Sequence, residues 1–156
     1  MRMQGKIGLV TAAGSGMGKA GAIRFAREGA SVSVVDINPE AVDAVVKEIK
    51  DAGGNAIGIV ADLTKDEESK RIVTETANHF EGLDFVWNHV GYPGPASIEG
   101  IEMKDFELTL DLNLRTILVT TEAALSEFRI RGGGTLLYTA SSSGLMGSGF
   151  SPVYSM

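Results

Sequence analysis

The sequence predicts an α/β fold built on a doubly wound parallel sheet. Three observations carry the prediction. Strand-like and helix-like stretches alternate from the start of the chain. The strand-like stretches are near-continuous apolar runs, such as Val32 to Val35, as expected of strands buried on both faces. The first of them turns on glycines into a helix. Strands joined in this way wind right-handed, with helices on both sides and a ligand crevice at the carboxyl ends of the strands.

The first strand is expected at Lys6–Thr11 and the first helix at Gly18–Glu28. Between them runs Ala12-Ala13-Gly14-Ser15-Gly16-Met17-Gly18. Such a turn gathers backbone N–H groups and the positive end of the helix dipole at one point, which suits a pyrophosphate. The P-loop pattern fails here, because it needs glycine where Ala13 stands and a hydroxyl where Ala20 stands. A strict G-x-G-x-x-G runs from Gly16 to Gly21. It begins several residues past the strand and puts Gly21 inside the helix, so it reads as accidental.

The second strand is expected at Ser31–Asp36, followed by a helix at Pro39–Ala52 that Asn38-Pro39 caps and opens. That leaves Asp36 free to accept hydrogen bonds from both hydroxyls of an adenosine ribose. Its charge would repel a 2′-phosphate, and neither Ser15 nor Ile37 supplies a compensating cation, so NAD is expected rather than NADP. A third strand, Asn55–Val60, leads to a helix at Lys65–Phe80. Thr64 and Glu67 form a Thr-x-x-Glu capping box there, which leaves Asp62 free. The fourth strand is placed at Leu83–Asn88 with Trp87 in the core, and a Gly/Pro-rich loop, Tyr92 to Gly100, follows. Phe106 to Leu114 alternates like a strand. Yet Phe106, Leu110, Leu114, Ile117/Leu118, Thr121, Leu125 and Phe128 form one helical stripe, and its length decides for a helix at Met103–Phe128. The fifth strand is expected at Thr135–Ala140, just before Ser141-Ser142-Ser143-Gly144.

Thr11, Gly14, Gly16 and Gly18 resemble the T-G-x-x-x-G-x-G loop of the short-chain dehydrogenase/reductase family, with Ala12 where the family has glycine. Asn88-His89-Val90-Gly91 is similar to the family's Asn-Asn-Ala-Gly segment, with His89 in place of the second Asn. Tyr154 follows Ser141 by thirteen residues, the family's spacing of catalytic Ser and Tyr, and Asn113 matches its catalytic Asn. The resemblance implies a Rossmann-type sheet. It implies cofactor contacts at Gly14, Ser15, Gly16, Met17, Gly18, Asp36, Ile37, Asp62, Leu63, Asn88, Val90 and Gly91. It implies catalysis by Asn113, Ser141 and Tyr154. A tyrosine, with an ordinary pKa of about 10, moves a proton near neutrality only if a positive charge favours its phenolate. In the family a lysine four residues after the tyrosine does this. That is position 158, past Met156, so residues 1–156 are expected to be an incomplete dinucleotide-binding domain that lacks the last strands, binds NAD weakly and turns over poorly.

The bulk composition narrows the classes. Net charge is −6 with no basic patch, which argues against nucleic acid. No apolar run is long enough to span a membrane. The chain has no cysteine, hence no disulfide or thiolate metal site, which fits a reducing cytoplasm. Met1 to Gly5 runs into the first strand without a secretory pattern. The two histidines, ten residues apart, show no metal-ligand spacing and no metal is expected. The expectation is an NAD(H)-dependent oxidoreductase of secondary alcohols and ketones. The resemblance also implies a homo-oligomer, tetramer or dimer, since family members are often joined through the long helix around Asn113 and the helix starting near Tyr154. Two other readings stand beside it. One is a non-catalytic dinucleotide-binding module, a sensor or scaffold. The other is a methyltransferase-like domain, in which the Ser141–Tyr154 pair would be idle.

Overall fold

β1 (Ile7–Thr11) is buried along its whole length, and the rest of the sheet is laid down on either side of it. The computed structural model describes residues 1–156. Its five parallel strands run in the order β3-β2-β1-β4-β5, with β2 at Ser31–Asp36, β3 at Asn55–Val60, β4 at Phe85–Asn88 and β5 at Thr135–Tyr138. The chain moves outward from β1 through β2 to β3, then crosses back to β4 and β5. The crevice of such a sheet opens where this direction reverses, at the carboxyl ends of β1 and β4. The register brings those ends level: Thr11 pairs with Val35, Val10 with Trp87 and Asn88 with Tyr138.

Alternate residues of each strand feed two apolar layers. On one face Leu9, Ile59 and Val86 pack with Ile72, Val73 and Phe128. On the other Val10, Val32 and Val34 pack with Ala22, Val45 and Phe85. Full burial of each such Val, Leu or Ile is worth about 1.5–3 kcal/mol. Both faces of the central strands β1 and β2 are therefore covered, and their carboxyl ends are what is left open to a ligand.

The helices are α1 (Gly16–Arg27), α2 (Pro39–Asp51), α3 (Asp66–Phe80), α4 (Met103–Leu110) and α5 (Thr116–Arg131). A π-turn, Asp111–Arg115, joins α4 to α5 without a break, so the stretch is helical as expected but not uniformly α. Asn38 caps α2 by accepting the Ala41 N–H at 3.0 Å. The capping box at α3 does not form. The Thr64 hydroxyl donates to Asp62 Oδ1 at 2.7 Å, and Lys65 occupies the N-cap without a side-chain bond.

The expected apolar stripe of the long helix also divides. Thr109, Thr116, Thr120, Ala124 and Phe128 are the buried residues, whereas Leu110, Leu114, Leu118 and Leu125 face outward. No helix is long and apolar enough to cross a membrane.

Candidate active site

The β1–α1 turn opens the crevice. Ala12 takes a left-handed φ of 51°, the conformation for which glycine is the usual residue, and Gly16 does likewise at 53°. Ala13 N–H extends the sheet by donating to Val35 O at 2.9 Å, and Gly14 N–H donates to Asp36 Oδ2 at 2.9 Å. Gly18 lies against the turn so closely that a Cβ on it would stand 2.1 Å from Ala12 O. Helix α1 therefore starts directly on the turn. Its first N–H groups, those of Gly16, Met17 and Gly18, have no acceptor in the chain. Ser15 makes no side-chain cap, and no acid stands in the first turn to neutralise the dipole. Unsatisfied donors at a positive helix end are the donor set that a diphosphate requires, so these residues fit a dinucleotide.

Gly21 closes the G-x-G-x-x-G pattern but takes no part in the turn. It does lie inside α1, but a Cβ there would meet the Trp87 ring at 2.0 Å. Gly21 is thus the flat spot that lets the helix sit on β4, a contact between positions 66 residues apart in sequence.

Beside the turn lies a hollow of about 420 Å³ whose lining includes Asp36, Ile37, Asp62, Leu63 and Val90, five of the expected cofactor residues, together with Ala12 and Leu112. Neither acid there is idle. Asp36 accepts from Gly14 N–H and, through Oδ1, from Asn38 N–H at 3.2 Å. Asp62 accepts from the Thr64 hydroxyl and N–H, and these bonds, with Lys65 at 3.3 Å, hold its carboxyl below the usual carboxylate range against the effect of burial. Both acids brace their turns and keep lone pairs open to the hollow.

The end of β4 is tied to β1 by one hydroxyl. Thr11 Oγ1 accepts from His89 N–H at 2.9 Å and Val90 N–H at 3.0 Å. Asn88 lies in neither hollow. Its carbonyl accepts from Thr139 N–H at 3.1 Å, and its side-chain amide is buried with no partner at either atom. The ring of His89 lies 4.8 Å from that of Trp87, with Nδ1 2.7 Å from the Thr139 hydroxyl. Burial alone lowers the imidazole pKa below the ordinary histidine value.

A second hollow, of about 520 Å³, shares Val90 with the first. It gathers Asn113, Ser141 and Tyr154 with Gly91, His89 and Ile117. The three expected catalytic residues therefore meet at one cavity, although they come from the π-turn, the cap of a short 3₁₀ turn after β5 and a 3₁₀ turn at Val153–Ser155. Asn113 does not face solvent. Its Oδ1 accepts from Tyr92 N–H at 3.1 Å, and its Nδ2 donates to Tyr92 O at 2.6 Å and Thr109 O at 2.8 Å. The side chain thus clamps the loop that follows β4. The irregular backbone it sits on is a π-turn, a feature common at functional sites. Ser141 Oγ accepts from Ser143 N–H at 3.2 Å, which leaves its hydroxyl proton free to donate.

Comparison with known proteins places this geometry. The family model for short chain dehydrogenase matches residues 6–156. An uncharacterized oxidoreductase of Thermotoga maritima is 36% identical over 156 residues, which are 100% of this chain and 61% of that protein. The 7alpha-hydroxysteroid dehydrogenase of Escherichia coli K12 is 34% identical over 137 residues, 88% of this chain and 53% of that one. Among solved structures, a 7 alpha-hydroxysteroid dehydrogenase complexed with NADH and 7-oxo glycochenodeoxycholic acid superposes with a TM-score of 0.94 at 32% identity, covering 99% of this chain and 60% of the other. A short chain dehydrogenase of Burkholderia cenocepacia in complex with NADP does so with a TM-score of 0.92 at 30% identity, covering 99% and 63%. The chain thus spans about three-fifths of the length of the relatives it matches. With the parallel sheet, the glycine turn and the Asn113–Ser141–Tyr154 cavity in place, the chain belongs to the short-chain dehydrogenase family of oxidoreductases.

Proposed function

We propose that this chain carries the cofactor half of an NAD(H)-dependent oxidoreductase that interconverts a secondary alcohol and a ketone. The observation that carries the reading is the pair of hollows joined at Val90, one holding Asp36 and Asp62, the other Asn113, Ser141 and Tyr154. The relative solved with NADH and an oxo-steroid supports the substrate class and the cofactor. A neighbour solved with NADP means that the fold alone does not choose the nucleotide, and the charge of Asp36 is what supports NAD in this chain. Dinucleotide binding falls to residues 1–156 as one domain.

The residues divide the work as follows. The N–H groups of Gly16, Met17 and Gly18 hold the diphosphate, with Gly14, Ser15 and Gly91 shaping the walls. Asp36 and Ile37 meet the adenosine ribose, Asp62 and Leu63 the adenine, and Val90 the far wall, while Asn88 is buried outside both hollows. A bound nicotinamide supplies or accepts a hydride. Ser141 donates a hydrogen bond to the substrate oxygen, keeps its own proton and fixes the oxygen's angle. Tyr154 passes a proton to or from that oxygen. Asn113 sets the floor of the cavity through Tyr92. The outward leucines at 118 and 125, which line neither hollow, support a homo-oligomer, and a monomeric sedimentation mass would count against it.

The test is a paired titration with NADH and NADPH, followed by fluorescence. The native chain should bind NADH the more tightly. In Asp36→Ala that preference should shrink at least tenfold, the factor that corresponds to about 1.4 kcal/mol. An unchanged ratio removes Asp36 from cofactor choice.

A further inference from the structure

His89 stands where the family has an asparagine, and its surroundings give the imidazole a use an amide does not have. The Trp87 indole N–H can only donate, and it donates to Thr139 Oγ1 at 3.0 Å. The Thr139 hydroxyl proton is then free to point at His89 Nδ1, 2.7 Å away, which leaves the ring proton on Nε2. Nε2 has no partner in the chain, yet it is not among the buried unpartnered atoms, so it reaches solvent. The Cδ2 edge of the ring leans on α1: a Cβ placed on Gly18 would stand 2.9 Å from it. Gly18 is one of the residues whose N–H groups lack an acceptor. The imidazole is therefore wedged between the indole and the anion-binding end of α1.

From this geometry we propose that His89 is a positioning residue of the dinucleotide site, a neutral imidazole that takes up a proton when a diphosphate docks on the β1–α1 turn. The inference rests on the dinucleotide reading above. The added proton goes to Nδ1. The Thr139 hydroxyl then turns its own hydrogen to solvent, and its oxygen accepts from both Trp87 and His89. The cation so formed has the Trp87 ring beside it and the bound anion across Gly18, and both favour the charged form.

No charged side chain of the chain competes for this role. Lys19 on α1 is paired with Glu48 of α2 at 2.9 Å. The one acid nearby in sequence, Asp84, precedes β4 and is held by Arg131 and Ile7 at the amino end of the sheet. The segment after β5 brings only hydroxyl groups and, across the cavity, Tyr154. Burial, not a neighbouring charge, accounts for the lowered proton affinity of the free ring.

Trp87 is the only tryptophan, and a protonated imidazole quenches an adjacent indole, so its fluorescence reports His89 directly. The experiment follows this emission from pH 5 to 8 in the native chain, without and with saturating NAD⁺. The midpoint should rise by about one pH unit, the lower end of what an opposite charge within reach produces. By linkage, NAD⁺ should bind about tenfold more tightly at the acidic end of the titration than at the alkaline end. In His89→Asn the indole should not titrate, and NAD⁺ affinity should be flat with pH. The only other histidine, His79, stacks on Phe80 at the end of α3 and cannot supply either signal. A midpoint that NAD⁺ leaves in place, or a His89→Asn chain with the same pH-dependent affinity, overturns the proposal while the dinucleotide reading stands. Absence of saturable NAD⁺ binding in the native chain overturns both. Should the variant not fold, the native midpoint alone decides.

Discussion

Ala12 is the sharpest place to perturb the turn on which the cofactor reading rests. Its φ of 51° lies in the left-handed region, where an L-residue costs about 1–2 kcal/mol relative to its relaxed backbone. Glycine removes that cost, but the more flexible unfolded chain takes back about 0.4–1 kcal/mol. Ala12→Gly should therefore stabilise the fold by about 0.5 kcal/mol, the smaller side of that difference. Gly16 is the matched control. Its φ is 53°, and a Cβ there meets nothing within 4 Å, so Gly16→Ala adds backbone strain and no clash. It should destabilise by about 0.5 kcal/mol, the same difference with its sign reversed. The assay is urea denaturation of both variants beside the native chain, with thermal melts as a second readout. For a chain of this size each 1 kcal/mol moves Tm by about 2–4 °C. Because the native turn already holds its shape, Ala12→Gly should leave the NADH dissociation constant within about twofold. An Ala12→Gly chain less stable than the native one would refute the strain argument. So would the two substitutions moving stability in the same direction.

Two further outcomes follow from other parts of the molecule. Tyr154→Phe, made in a form that turns over, should abolish activity on an alcohol substrate and leave NADH binding within about twofold, since only the proton path is cut; undiminished turnover would remove Tyr154 from the mechanism. Burial pushes the Asp84 carboxyl up, but Arg131, the Ile7 N–H and Lys6 outweigh it and hold it below the usual carboxylate range. Its contribution to stability is thus present above the unfolded-state value of about 3.9 and is lost as pH falls through the lower folded value. Asp84→Asn should be less stable at pH 7 by about 1–2 kcal/mol and should lose less on acidification than the native chain, as read from urea midpoints at pH 7 and pH 3.

Much of the sheet's carboxyl edge was legible because backbone geometry is written in residue types. Glycines at 14, 16 and 18 after an apolar strand mark a tight turn into a helix, and Asn38-Pro39 marks the start of another. What stayed hidden depends on contacts across the fold. An alanine with positive φ looks like any alanine in a sequence. The Thr64–Glu67 box met the pattern, but Asp62, two residues before Thr64, won its hydroxyl. Gly21 needed Trp87 to explain it. The long helix misled through its threonines: Thr109 donates to Asp105 O and Thr116 to Leu63 O, so they enter the interior with hydroxyls satisfied while the leucines of the stripe point outward.

The central claim is tested most directly by a structure of the chain determined with NADH. The account predicts the diphosphate within hydrogen-bond distance of the N–H groups at 16 to 18, and the Asp36 carboxylate on the adenosine ribose hydroxyls. A nucleotide seated elsewhere, or those N–H groups left facing solvent beside a bound NADH, would contradict it.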